Sequence, residues 1–336
     1  EFIFLIMQDN NSKKLNKNQM EILSDKNKKG KERPWIEKKI KSIMLADSYK
    51  RLGFKKAYSV QECGTYLEFK RYESGDFKLN ASNFCKDRLC PMCAWRRSLK
   101  IFGQTSKVMD RALQDKDYRF IFLTLTCKNV YGEELSSTID QLFKAFNLMF
   151  KRKQVKTVVK GWFRGLEVTH NLDEESKDYD TYHPHFHIVI MVNKSYFTDK
   201  RYYLSQAKWT KIWQESLGVD YTPIVNIKAF KVGTKTQTSK SVSESAKYTV
   251  KDNDYLIEGS EELTDSAVMI LNNSLKGRRL VAFGGVFRKI HKELNLDDME
   301  KGDLINTDSD ETLRDDIKFT IERYKWNVGY NQYYKF

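Results

Sequence analysis

Histidine is scarce in this chain, with five in 336 residues. No apolar run is long enough to span a bilayer, so no transmembrane helix and no membrane partner are expected. The opening Glu1-Phe2-Ile3-Phe4-Leu5-Ile6-Met7 lacks a basic lead and is followed by no small-residue cleavage site. It does not read as a signal peptide, and Met7 is a candidate natural start. Cysteine is limited to five, four of them grouped. Without a secretory signal, that grouping argues against a disulfide framework and for metal binding in a reducing cytoplasm.

Positive charge, in contrast, is abundant. The formal net charge is +14 and the sequence pI about 9.3. Such a balance favours an acidic polymer as partner, nucleic acid before anionic membrane. A merely soluble basic protein would carry the same charge, so the residues must decide. The length allows a substantial core and roughly two domains.

Residues 1–33, rich in Lys, Asn, Gln and Asp, read as a mobile basic arm. Helical periodicity runs from Ile36 to Leu52. Tyr66-Leu67-Glu68-Phe69 and Phe77-Lys78-Leu79 read as a hairpin around Ser74-Gly75-Asp76. A helix follows the cysteine cluster, with Trp95, Leu99, Phe102 and Met109 along one side. Phe120 to Cys127 is the clearest strand. Ile139 to Phe150 has helical spacing, and Trp162–Thr169 and His185–Val192 read as two further strands. Ser205 to Leu217 forms an amphipathic helix stopped by Gly218, Ile224 to Phe230 a strand, and Ser241 to Val250 a helix. Strands interspersed with helices predict an α+β fold around a mainly antiparallel sheet.

Three constellations could carry chemistry. The first is His183-Pro184-His185-Phe186-His187, which holds three of the five histidines. Side chains at i and i+2 of a strand share a face, so His185 and His187 would present two imidazoles side by side. Pro184 interrupts the alternation that would align His183 with them. Glu167 lies on the strand expected to pair with this one, and a hairpin would bring it opposite the histidines. Two imidazoles and a carboxylate suit a divalent ion that polarises a phosphate oxygen. A lone His-x-His is more often metal-free. The second constellation is Glu244, Tyr248 and Lys251, at i, i+4 and i+7 and hence on one helix face. A phenol with an ordinary pKa of about 10 is a poor nucleophile. A lysine could stabilise its phenolate, and a carboxylate one turn away could act as general base. Alone, this is also the spacing of an ordinary salt-bridged helix. The third is Cys63, Cys85, Cys90 and Cys93, a set that fits a closed, structural four-thiolate zinc site. It would pin an arginine-rich region in which Arg88, Arg96 and Arg97 suit phosphate contacts. Cys127 reads as a core residue.

Taken together, the parts resemble a family. Phe122-Leu123-Thr124-Leu125-Thr126, the His185-Phe186-His187 pair and Glu244…Tyr248…Lys251 occur in the order of the three motifs of HUH endonucleases. The chain most closely resembles the rolling-circle replication initiators of small Gram-positive plasmids, in the single-tyrosine class. Lys86 to Arg97 looks like that family's cysteine segment. Arg278-Arg279-Leu280, Gly284-Gly285 and Ile290 to Leu296 look like its C-terminal region. The resemblance runs from about Lys31 to Asp308.

The resemblance implies an HUH-type antiparallel sheet flanked by helices, with a four-cysteine zinc-binding insertion and a helical C-terminal region. The expected divisions are 1–33, an N-terminal arm; 34–115, zinc and DNA binding; 116–255, the endonuclease; and 256–336, the C-terminal region. It also implies that Tyr248 attacks a scissile phosphate in the plasmid double-strand origin and becomes joined to the 5′ phosphate. The liberated 3′ hydroxyl would prime a host polymerase beside a host helicase. His185, His187 and Glu167 would hold Mg2+ or Mn2+, and the cycle would end by strand transfer or by hydrolysis, with Glu244 activating the water. Two other readings stay open at this point. One is an HUH transposase or relaxase, the other a non-catalytic zinc-containing DNA-binding regulator.

Overall fold

In a computed structural model, residues 21–27, 30–115, 118–230, 250–307 and 318–336 are described. The helices are α1 (Trp35–Arg51), α2 (Ala57–Gln61), α3 (Pro91–Asp115), α4 (Gly132–Lys151), α5 (Lys153–Val158), α6 (Ser195–Thr198), α7 (Gln206–Leu217), α8 (Glu261–Leu275) and α9 (Val286–Glu293). The strands are β1 (Tyr66–Tyr72), β2 (Phe77–Ser82), β3 (Tyr118–Thr126), β4 (Val159–Asn171), β5 (Thr181–Asn193), β6 (Val225–Ala229), β7 (Val281–Gly285), β8 (Phe319–Asn327) and β9 (Gln332–Lys335). They form a five-stranded sheet, β6-β3-β5-β4-β7, and a four-stranded sheet, β2-β1-β8-β9. Every pairing is antiparallel. The fold is therefore α+β, with two antiparallel sheets flanked by helices.

The larger sheet is covered on both faces, so its central strands are apolar on both sides. On one face Leu123, Leu125, Phe186, Ile188 and Ile190 join a core with Phe146 and Met149 of α4 and Trp209 and Trp213 of α7. On the other, Phe120, Phe163, Val189 and Met191 pack with Val108 and Met109 of α3 and Phe287 and Ile290 of α9. Each such buried side chain contributes roughly 1.5–3 kcal/mol relative to exposure. The alternation that turns Val189 and Met191 toward α3 and α9 turns His187 and His185 to that same face, further along β5.

Local signals explain several boundaries. Ser205 caps α7 by accepting from the Lys208 N–H, and Gly218 ends it in the left-handed region at φ 73°. Gly285, at φ 58°, turns β7 straight into α9, and a side chain there would collide with the Lys160 carbonyl.

Long-range pairing alters three expectations. Residues 21–27 do not belong to a free arm: Leu23 is buried and donates its N–H to the Tyr333 carbonyl (3.1 Å). The Asp25 carboxylate accepts from Trp35 Nε1 at 2.7 Å. These few groups dock the segment on β9 and the start of α1 despite its polar composition. The C-terminal region is only partly helical, since β7, β8 and β9 lie within it. Nor is it a separate unit. β7 pairs with β4 of the larger sheet, while β8 pairs with β1, bringing Tyr324 opposite Leu67.

Candidate metal centre

Three strands bring the centre together. In the β4–β5 hairpin Glu167 stands directly opposite His185, and Gly165 opposite His187. On the other side of β5, Thr126 faces His185 and Thr124 faces His187. His187 Nε2 lies 2.7 Å from Glu167 Oε2, and His185 Nε2 lies 3.6 Å from the same oxygen. The two Nε2 atoms are 3.1 Å apart. His185 directs its Nδ1 to the carbonyl of His183 at 3.0 Å, which leaves Nε2 to face the cluster. His187 Nδ1 is 3.5 Å from Thr124 Oγ1, and the ring stacks on Phe122. Glu167 is 4% exposed. Burial raises its carboxyl pKa, but the hydrogen bonds from His185 and His187 outweigh that and hold it well below the carboxylate range.

The donor set fits a divalent cation. Ligands at right angles on bonds of about 2.1 Å lie roughly 3 Å apart, close to the nitrogen spacing seen here. The three ligand atoms fall within 4.8 Å of one another. Pro184 does not break the alignment of His183, because β5 runs through it and His183 pairs with Thr169. Its ring stacks on His185, and its Nε2 meets the carbonyl of Cys127 at 3.0 Å. Burial lowers its pKa. His183 thus supports the centre through its ring and its carbonyl. Sequence reasoning misses the Thr124 contact, although alternation along β3 places that residue on the histidine face.

Of the second constellation, Glu244 and Tyr248 lie outside the described residues. Lys251 is described, and its Nζ is 3.6 Å from Glu167 Oε1. Cys63, Cys85, Cys90 and Cys93 converge as a second possible metal site. Cys63 and Cys93 sulfurs are 3.5 Å apart, and Cys85 and Cys93 3.7 Å. A tetrahedron with zinc–sulfur bonds near 2.3 Å predicts roughly 3.8 Å. Lys86 at φ 60° turns the chain so that its N–H donates to Cys93 Sγ, and the Asp87 N–H donates to Cys85 Sγ. Burial opposes charge on Cys90, yet hydrogen bonds from the other cysteines and Ser42 bring its pKa well below the ordinary value. Cys127 is separate and buried in the core; burial pushes its thiol up to about 12.

The arginines near this cluster point inward. Arg96 is 2% exposed and donates to the carbonyls of Leu304 and Ile305, while Arg97, 3% exposed, donates to those of Glu300 and Asp87. Arg88 reaches the carbonyl of Leu275. Arg96 and Arg97 thus bind the C-terminal part of the chain to the cysteine region.

Fold and centre together define an α+β protein with a His-His-Glu centre on its main sheet and a four-cysteine cluster beside it. Comparison with known proteins is specific. The profile of the Replication protein family matches residues 76–334. "Protein rep" of Streptococcus pneumoniae is 43% identical over 297 residues, covering 87% of this chain and 89% of that protein. "Protein rep" of Bacillus amyloliquefaciens is 40% identical over 340 residues, covering 94% and 98%. One from Staphylococcus aureus is 40% identical over 233 residues, covering 68% and 97%. No solved structure matches. The chain belongs to the Replication protein family, as a Rep of rolling-circle plasmids that initiates plasmid replication. Among the described residues no helix is long and apolar enough to cross a membrane.

Proposed function

We propose that this Rep is a cytoplasmic HUH nickase of the single-tyrosine class, acting on one strand of the plasmid double-strand origin. The observation that carries the reading is the convergence of Glu167, His185 and His187, with Lys251 beside them, in a chain of this family. Tyr248 precedes Lys251 by three residues, a stretch that spans at most about 11 Å. That tether limits how far Tyr248 can lie from Lys251. Tyr248 Oη bonds to phosphorus while the bond from phosphorus to the 3′ oxygen breaks. The phenol gives up its proton, and the departing oxygen takes one up as the 3′ hydroxyl that a host polymerase extends beside a host helicase. Lys251 stabilises phenolate as it forms. Glu244 later takes a proton from the water that hydrolyses the phosphotyrosine. His185, His187 and Glu167 would hold Mg2+ or Mn2+, which when bound would draw charge from the phosphate and make phosphorus more electrophilic. The four cysteines would hold Zn2+ as a closed structural site.

The test is incubation with a supercoiled origin plasmid and a divalent ion, followed by mass spectrometry of the DNA-linked peptide. We expect a nick and an adduct on Tyr248, both absent with EDTA and in Tyr248→Phe. An adduct persisting in Tyr248→Phe rejects this nucleophile. Binding without nicking under any metal condition would favour a non-catalytic regulator.

A further inference from the structure

The segment after Lys251 is gripped by the cysteine region. Asp252 lies between two lysines of α1, with Lys38 Nζ 2.5 Å from its Oδ2 and Lys41 Nζ 3.0 Å from its Oδ1. The three side chains are only 18%, 16% and 11% exposed, in the order Lys38, Lys41, Asp252. Lys41 also donates to Asn253 Oδ1 at 2.5 Å. Glu37 lies 3.2 Å from Lys38 and 3.3 Å from Lys41, so two carboxylates balance two ammonium groups. Three residues beyond Asp252, the buried Tyr255 donates its hydroxyl to the carbonyl of Leu89, the neighbour of Cys90.

The same helix is fastened to the four-cysteine cluster. Ser42 Oγ lies 3.4 Å from Cys90 Sγ. The fully buried Lys39 donates to the carbonyls of Gln61 (2.5 Å) and Cys63 (2.9 Å). Adjacent helix positions point about 100° apart, so Lys39 and Ser42 face the cysteines while Lys38 and Lys41 face Asp252. One rigid element therefore joins the cysteine cluster to the residue that follows Lys251, and Lys251 stands 3.6 Å from Glu167.

The geometry points to a clamp: the four-cysteine module, through α1 and Leu89, positions the segment carrying Lys251 against the Glu167–His185–His187 centre. Where the proposed nucleophile is right, the clamp positions Tyr248 as well; that clause rests on the function proposed above. Lys38, Lys41 and Asp252 are positioning residues, and the cysteine module serves catalytic geometry. Ion pairs this poorly solvated hold one arrangement more firmly than exposed pairs, and removing one partner leaves a charge uncompensated.

The experiment compares wild-type full-length protein, loaded with zinc, with Asp252→Asn. It reads single-turnover adduct formation on a saturating origin strand, Kd for an uncleavable strand, zinc content, and hydrogen exchange of the Asp254 and Leu256 amides. In the wild type these amides donate to Lys251 and Asp252 carbonyls. Misplacing a reacting group by about 1 Å costs about 100-fold in rate. We expect a loss of that size, with Kd changed less than about twofold, zinc retained, exchange faster, and most of the rate restored in Asp252→Glu. Lys41→Gln, which keeps the Lys38 pair, takes the place of Asp252→Asn if that variant fails to fold. Unchanged exchange overturns the clamp, and so does a Kd weakened by the same factor as the rate. If the wild type forms no adduct, the proposed function fails, and the exchange measurement alone decides the clamp.

Discussion

Two buried glutamates, one in each sheet, make opposite use of similar surroundings. Glu167 on β4 is 4% exposed and Glu322 on β8 is 7% exposed. Burial alone would raise both carboxyl pKa values, and in both it is outweighed. Glu322 falls to about 2 under hydrogen bonds from Arg71, Tyr324 and Lys335. Arg71 grips both oxygens at 2.7 and 3.0 Å, Tyr324 donates at 2.8 Å and Lys335 at 3.1 Å. Each of these partners brings its own proton, so the lone pairs are occupied. Glu167 instead faces two imidazole nitrogens, which can themselves offer lone pairs to a shared cation. The kind of partner, more than the burial of the charge, separates a structural anchor from a carboxylate that could hold a cation.

The sharpest way to break this comparison is Glu167→Gln. It keeps the shape but removes a full negative charge from the centre. Adduct formation should fall by about 10³-fold, equivalent to ~4 kcal/mol of transition-state stabilisation. The melting temperature should also fall, because the hydrogen bonds that outweigh the burial of this carboxylate weaken with the loss of its charge. Single-turnover nicking and a thermal melt on the same preparation report both. Nicking within about fivefold of wild type would remove Glu167 from the centre.

Glu167 is legible in the sequence, whereas Glu322 is not. The reason is range. A strict period of two sets His185 and His187 on one face, and the polar turn over residues 172–180 makes the β4–β5 hairpin predictable, so Glu167 can be placed by register. Cys85, Cys90 and Cys93 lie close in the chain, and their spacing shows. The pairing of β8 with β1 joins Arg71 to Glu322 across 251 positions, and no local pattern announces it. The inward turn of Arg96 has the same origin, since its acceptors are the carbonyls of Leu304 and Ile305, and Arg97 adds that of Glu300 to the nearby Asp87. Arginine density near cysteines signals phosphate contact only until tertiary partners are known.

A smaller effect is expected from Glu322→Gln. The variant leaves Arg71 and Lys335, each about a third exposed, without their buried carboxylate, and unfolding free energy should fall by about 2 kcal/mol. Metal-dependent nicking should match wild type, because none of the four residues is near the centre's ligands in register. Urea unfolding paired with a nicking assay measures both arms. Loss of nicking without loss of stability would reverse the roles assigned to the two glutamates.

The last expected effect is a difference in acid response between wild type and Glu322→Gln. The folded pKa of Glu322 is depressed from an ordinary 4.5 to about 2. A group depressed in the folded state contributes its stability above the unfolded pKa and loses it as pH falls through the folded one. Wild type should therefore lose on the order of 2–3 kcal/mol between about pH 4.5 and 2 through this residue. Glu322→Gln has no such proton to bind, so its stability should decline less over that window. Arg71 and Lys335 stay charged throughout, which isolates the carboxylate as the titrating partner. Urea unfolding at intervals from about pH 5 to 2.5 should show two curves drawing together as acid is added. Curves that stay parallel would mean that Glu322 is not held ionised by its partners, and the contrast with Glu167 would rest on geometry alone.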